Sequence, residues 1–377
     1  MAGTANWPEF QRGGRHQGFN PFEKKLTRAT VGRLRVAWRF DNPSGCTSYS
    51  GPTVADGRVY VGNYCPYLYA VDERTGRLLW TATTDGKVES APAVADGRVF
   101  VTTGYTGRGV YAFDAATGER LWRYEMTDGS LGSPSVRHGV LYVAADKDGA
   151  LYALEAATGR PLWRSVVPGW AGGSAQSPLV VGGTVYVGST DGYLYAFDAV
   201  TGRTLWRGAT GGPIHRSSVI AASGHVFVGS DGGTLVAFPL SGCGESTCQP
   251  SWRSRSLTPG TSTAAAAYGR VYVTDSDGYM NAFSARGCDA LLCPAVWRTA
   301  LGGVNDRAPA VAGRVVYATS ARNRAVTALD TRSGAVLWRF IRRTEYGGNA
   351  DISVANGRLF VNFTWTFKLF AFQVAQE

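Results

Sequence analysis

The sequence predicts an all-β fold, an eight-bladed β-propeller of four-stranded antiparallel blades whose ring is closed by an N-terminal strand. Three observations carry this. Trp38, Trp80, Trp122, Trp163, Trp206, Trp252, Trp297 and Trp338 recur 41 to 46 residues apart along the whole chain. Each interval holds short β-pattern segments separated by turn residues, as in SAPAVADGRVFVTTG…GVYAFDAATGERLW. The last unit lacks one strand, while the front of the chain carries a strand with no unit of its own. A repeat near 42 residues with four short strands is one propeller blade, and only neighbouring repeats together bury its apolar faces.

Residues 1–33 form a lead segment outside the repeat. LRVAWRF (34–40) follows, a strand with a Trp but no blade. The units then run over 49–80, 90–122, 132–163, 175–206, 216–252, 261–297, 307–338 and 349–373. Val and Tyr alternate with period two in GRVYVG (57–62) and GTVYVG (183–188), as a β-strand requires. Asp56-Gly57, Asp96-Gly97, Gly182-Gly183 and Asp191-Gly192 suit tight hairpins. The final unit ends in LFAFQVAQE, without Thr-Gly or Trp, so 34–40 is expected to complete it. Closure removes the open sheet edges that invite aggregation. One ring over 34–377 also overrides the two or more domains that 377 residues would ordinarily suggest.

Around five of the tryptophans the spacing is fixed. Ala70, Gly76 and Trp80 recur as Ala112/Gly118/Trp122, Ala153/Gly159/Trp163, Ala196/Gly202/Trp206 and Ala328/Gly334/Trp338, with Gly six and Trp ten residues after Ala. An indole fits between blades only against bare backbone or a methyl group, so these tryptophans are structural, each burying on the order of 200 Å².

The pattern A-x-D-x-x-T-G-x-x-x-W, with strands reading GxVYVGS and DGYLYAFDA, resembles the repeat of the PQQ-like β-propellers. That superfamily includes quinoprotein alcohol dehydrogenases and assembly lipoproteins of the BamB type. The opening WPEF…GFNPFEKKLTRATVGRLRVAW is similar to the start of such propellers, and the resemblance spans residues 7–374. It implies the fold, and it names PQQ with calcium as the cofactor of the enzyme members, held over the central channel. Many of those members carry two adjacent cysteines near the cofactor. None are adjacent here, and the chain is much shorter than those enzymes. The bare repeat is closer to the scaffolding members.

Cys243-x4-Cys248 and Cys288-x4-Cys293 sit in equivalent turns of consecutive blades, each enlarged by five residues. Local disulfides pin such turns; the alternative is one zinc ion held by four thiolates. Cys46 and Cys65 flank the first blade's inner strands and emerge on one face, so a third disulfide joins them. Six cysteines point to an oxidising compartment. MAGTANWPEF has no apolar stretch of a secretory signal, so the expectation is a mature chain in the cell envelope or outside the cell. No run of about 18 apolar residues is present.

Net charge is +10, and of 38 basic residues 33 are arginine. They are scattered through turns (Arg58, Arg98, Arg160, Arg203, Arg314, Arg358) and form no stripe, which argues against nucleic acid. There is no phosphate-binding Gly-rich loop, nucleophile elbow or His-x-x-x-His pair. His16, His138 and His225 have no partner by spacing.

Propeller ligands mostly enter where the innermost strands begin, around the axis. Tyr49, Glu89, Gln176, His215, Arg216, Asn305, Asp306, Arg307, Asn349 and Asp351 fall there. Glu89, Asp306 and Asp351 are candidate calcium ligands; Arg216 and Arg307 suit a carboxylate or phosphate; His215 beside a carboxylate suits acid–base work, with Asp306 and Glu89 as further catalytic candidates. The bland alternative is a solvated mouth whose charges pair with one another. Trp170 and Trp365 lie off the ladder and, with Tyr64, Tyr105 and Tyr346, offer surfaces for a sugar or peptide. Two functions follow: a monomeric binding or scaffolding propeller for a protein or glycan at the cell surface, or an enzyme acting on a small molecule at the channel mouth. PQQ-dependent oxidation is the family-based form of the second.

Paired cysteines predict that thiol titration of the denatured, unreduced chain finds no free sulfhydryl; six would overturn both the bridges and the oxidising location.

Overall fold

The computed structural model of the chain describes residues 5–104, 106–146, 148–169, 176–255, 257–258, 260–303, 307–342, 350–364 and 368–375. Eight sheets make the ring. Blade 1 comprises Thr53–Ala55, Arg58–Gly62, Tyr67–Asp72 and Leu78–Thr83, paired in that order from the axis outward. The two middle strands of blade 1 are almost wholly buried, while the outer strand is mostly exposed. The first hairpin turns on Asp56 (φ 49°) and Gly57 (φ 75°), the left-handed pair that a two-residue turn needs.

Closure occurs where the sequence places it. Leu34–Asp41 pairs antiparallel with Lys368–Val374 from Leu34↔Val374 to Asp41↔Lys368, completing blade 8 outside Ala350–Ala355 and Arg358–Phe363.

Every ladder Trp except Trp338, which packs on Phe340 and Phe372, rests on a glycine of the following blade. A Cβ on Gly118 would lie 2.7 Å from the Trp80 ring, and one on Gly159 2.6 Å from Trp122. Trp38 bears the same relation to Gly76 at 2.5 Å, so the closing seam is built like the other joints. The indole N–H donates across the joint: Trp38 to Glu73 O, Trp80 to Ala115 O, Trp122 to Ala156 O, Trp163 to Ala199 O and Trp297 to Thr331 O. The turn bearing the glycine is fixed by its aspartate. Asp114 Oδ1 accepts the Ala116 and Thr117 N–H groups and the Thr117 hydroxyl. Those Thr117 bonds hold its carboxyl below the usual carboxylate range. Thus each A-x-D-x-x-T-G-x-x-x-W serves two joints: its Gly receives the Trp of the preceding blade, and its Trp reaches the Gly of the following one.

All six cysteines are in disulfides, Cys46–Cys65, Cys243–Cys248 and Cys288–Cys293, which replaces the zinc alternative. The enlarged turns also reach sideways. Thr247–Cys248 adds a parallel fifth strand to Thr204–Ala209 of blade 4, and Leu292–Cys293 does the same on Trp252–Ser254 of blade 5. Rebuilding this turn has a local cost. The Trp252 indole N–H, buried at the joint with the 288–293 turn, has no partner among the described residues.

The lead segment, silent in the sequence, is the axle of the ring. Trp7 exchanges two backbone hydrogen bonds with Val54 of blade 1, both 2.8 Å, and Pro8 O accepts Val94 N–H of blade 2. Arg137 of blade 3 grips Glu9 through both terminal guanidinium nitrogens, at 2.9 and 2.6 Å. Arg15, Gln17 and Gly18 carbonyls then accept Ala221, Ala266 and Val311 N–H of blades 5, 6 and 7. Phe19–Asn20 pairs parallel with Val311–Ala312. Asn20 Nδ2 closes the circuit by donating to both Ala5 O and Val354 O at 2.7 Å. The circuit fills the channel from the hairpin side. His16, to which spacing assigned no partner, is fully buried there with Nε2 3.1 Å from Ser135 Oγ.

Two outcomes follow. Deleting residues 31–40 strips blade 8 of its outer strand and Trp38; loss of cooperative thermal unfolding is expected, and a truncated chain melting like the full one would sink this account. Burial, then Arg137, lowers the His16 pKa to about 3. A depressed histidine contributes stability fully above its unfolded pKa near 6.5 and loses it as pH falls toward about 3. Unfolding titrations should therefore find about 2 kcal/mol less stability at pH 5 than at pH 7.5, a difference that His16→Asn removes; an unchanged difference would refute the assignment.

Candidate functional site

The site is the space that the lead segment leaves open on the axis. Period two along the innermost strands sets one residue per blade at a common level: Gly51, Ala91, Ser133, Ser177, Ser218, Thr263, Ala308 and Asp351 line one cavity. Blades 3 to 6 supply hydroxyls there, and these are wired in series. Ala91 N–H donates to Ser133 Oγ (2.9 Å), Ser133 N–H to Ser177 Oγ (3.0 Å), Ser177 N–H to Ser218 Oγ (3.0 Å) and Ser218 N–H to Thr263 Oγ1 (2.8 Å). Phe10, from the lead segment, lies against the cavity, edge-on to His16 at 5.7 Å. Tyr49, Glu89, Leu131, Arg216 and Arg307 complete the lining, and the cavity holds about 100 Å³.

Charges sit on one side of this cup. Arg307 lies 3.5 Å from Asp351. Burial pushes the Glu89 carboxyl above its ordinary range, against the attraction of Lys87 and Arg307 and with some help from Asp146. Glu89 Oε2 is buried and accepts no hydrogen bond among the described residues. Tyr49 is pushed up by burial and then by Tyr64, whose ring is 5.3 Å away. Lys87 Nζ stands 3.4 Å over the Tyr64 ring, a cation–π contact that fastens this corner of the mouth.

The structure thus brings together five of the expected residues: Tyr49, Glu89, Arg216, Arg307 and Asp351. Two others go elsewhere. Gln176 is buried and donates to Ile214 O at 3.4 Å, and His215 Nδ1 contacts the Asp231 carboxylate in the mouth loops of blade 5. Asn305, Asp306, Asn349, Trp170, Tyr346, Trp365 and Tyr105 lie outside the described residues. The hydroxyl series and Phe10 were missed. The signal for the former was present, since Ser133 and Ser177 each precede a proline exactly as many residues before their hairpin as Ala91 does. Nothing in the sequence marked Phe10, because its place depends on the path of the lead segment.

The implied cofactor can be tested against these walls. Cavities that enclose small molecules and cofactors run from roughly 300 to 1,000 Å³, well above the 100 Å³ left here above Phe10. No three His, Cys, Asp or Glu side chains converge as a cation site among the described residues. The described cup does not fit pyrroloquinoline quinone, a fused-ring cofactor.

Comparison with known proteins places the architecture. Residues 31–137, 108–243 and 251–375 match the family model described as outer membrane protein assembly factor BamB. A 128-residue stretch is 30% identical to the dehydrogenase subunit of alcohol dehydrogenase (quinone) from Komagataeibacter europaeus, covering 31% of this chain and 17% of that protein. The chain therefore spans under a fifth of the length of that relative. The crystal structure of BamB from Moraxella catarrhalis superposes with a TM-score of 0.71 at 17% identity, over 91% of this chain and 98% of that one. Quinohemoprotein alcohol dehydrogenase from Comamonas testosteroni gives 0.78 at 16% identity, over 100% and 81%. At such identities the structural likeness speaks for the fold alone. With its repeat, its joints and three matched segments in agreement, the chain belongs to the PQQ-like β-propeller family whose model is described as outer membrane protein assembly factor BamB.

Proposed function

We propose that the chain is a binding or scaffolding propeller of the cell envelope or exterior, presenting its channel-mouth face to a protein or glycan partner. The axial cavity carries this reading: with Phe10 beneath it and about 100 Å³ of room, it suits contact with a group on a partner better than enclosure of a cofactor. Three disulfides support an oxidising compartment. A net charge of +10 favours an acidic partner surface. The matched family's description as an assembly factor points the same way by analogy.

The mouth offers aromatic surface for such a partner in the Tyr49–Tyr64 pair; Trp170, Tyr346 and Trp365 remain candidates for extending it. A second reading, an enzyme at the mouth, draws on one observation, the contact between His215 and the Asp231 carboxylate. A carboxylate that orients an imidazole is a common base arrangement, and the quinone-dependent relatives make oxidation the reaction class for it.

Titration with PQQ and calcium separates the two. Neither saturable quenching of tryptophan fluorescence nor reduction of a redox dye is expected, and the appearance of both would reverse the ranking.

A further inference from the structure

We propose that the axial cup binds a single carboxylate group, the end of a partner peptide or a small free acid, on the hydroxyls of Ser133, Ser177, Ser218 and Thr263. The proposal rests on the reading of the mouth as a binding face and names what that face takes at its centre.

Each of the four hydroxyl oxygens accepts a backbone N–H from the neighbouring blade, which fixes its position. Among the described residues none of the four hydroxyl hydrogens has an acceptor. The four side chains belong to residues only 2 to 5% exposed and line the cavity, so their hydroxyl hydrogens are held at its wall with no protein acceptor among the described residues. An acceptor-rich group entering the cup would meet all four. Gly51, Ala91 and Ala308 face the hydroxyl arc at the same level and leave the space open.

Size narrows the ligand. With a water's share of liquid volume near 30 Å³, about 100 Å³ admits a group of roughly three to five heavy atoms. A carboxylate with its α-carbon fits; a sugar ring does not. Charge agrees with this. Arg216 and Arg307 also line the cavity, with Asp351 beside Arg307.

Glu89 makes the binding pH-dependent. Its Oε2 is buried and without a hydrogen-bond partner among the described residues; Tyr49, Arg216, Arg307 and Asp351 share the cup with it, and Lys87, Arg307 and Asp146 act on its charge. An arriving carboxylate disfavours a second negative charge, so Glu89 takes up a proton from solvent. Its new O–H then donates to the ligand as a fifth hydroxyl.

The test is calorimetric titration of the full chain with acetate, with an N-acetylated tripeptide ending in a free carboxylate, with the same peptide amidated, and with phosphate. Acetate and the acid peptide should bind and the amide should not. A peptide at least about tenfold tighter than acetate, a gain of about 1.4 kcal/mol, identifies a chain end; equal affinity identifies a small acid. Wild-type affinity should weaken toward tenfold per pH unit above the Glu89 pKa, whereas Glu89→Gln, a stand-in for the protonated acid, should bind with little pH dependence. Ala91→Leu fills the cup while leaving the hydroxyls and backbone donors in place, and should abolish binding in a chain that melts normally. Absence of carboxylate binding, equal binding of acid and amide, phosphate in preference to acetate, or binding that survives Ala91→Leu would each overturn the proposal. These results are separate from the PQQ titration: dye reduction sinks the partner-binding reading, while carboxylates failing to bind sinks only this one.

Discussion

An indole lying on a glycine is the contact on which the ring depends. The blades are joined side by side through buried faces, and at each regular joint a Trp covers a turn where a Cβ would stand about 2.5 to 2.7 Å from the ring. The same turn returns a carbonyl to the indole N–H, so position and orientation are set together. Repeated around the axis, this contact fixes the angle between neighbours. Closure then needs a Trp from outside the last unit, which Trp38 provides.

A closed ring creates a second constraint at its centre. The innermost strands present backbone donors to the channel, and buried donors need partners. The lead segment meets the need by winding past them, accepting N–H groups from Val54, Val94, Ala221, Ala266 and Val311 in turn. Filling the hairpin end of the channel shapes the other end, since Phe10 rises from the same segment to meet the cup. Higher up, four blades satisfy the neighbouring N–H with a serine or threonine hydroxyl instead. The chemistry of the cup is therefore a by-product of how the axis is sealed: oxygens recruited as acceptors for the ring retain hydrogens to offer a ligand.

Much of this was legible in the residues. Blade number, strand order, the closing strand and the disulfides follow from spacing, because a repeat writes the same local contacts many times over. The candidate site was only partly legible. Tyr49, Glu89, Arg216, Arg307 and Asp351 were reached by asking which side chains start the inner strands, and they do line one cavity. Gln176 and His215 start the same strands yet turn to Ile214 O and Asp231, choices set by neighbours in three dimensions. The Cys-bearing turns read as pinned loops, but their strand pairing with the preceding blade required knowing which outer edge lay within reach.

The sequence by itself determined the ring, since Trp, Gly and the turn aspartate act between units that recur every 41 to 46 residues. Only the tertiary structure decided what occupies the axis. Phe10, His16 and Glu9 belong to a segment with no repeat, and their partners Ser135 and Arg137 lie more than a hundred residues away. Local pattern carries no information about such contacts, because they exist only once eight inner strands converge and leave a channel to be filled.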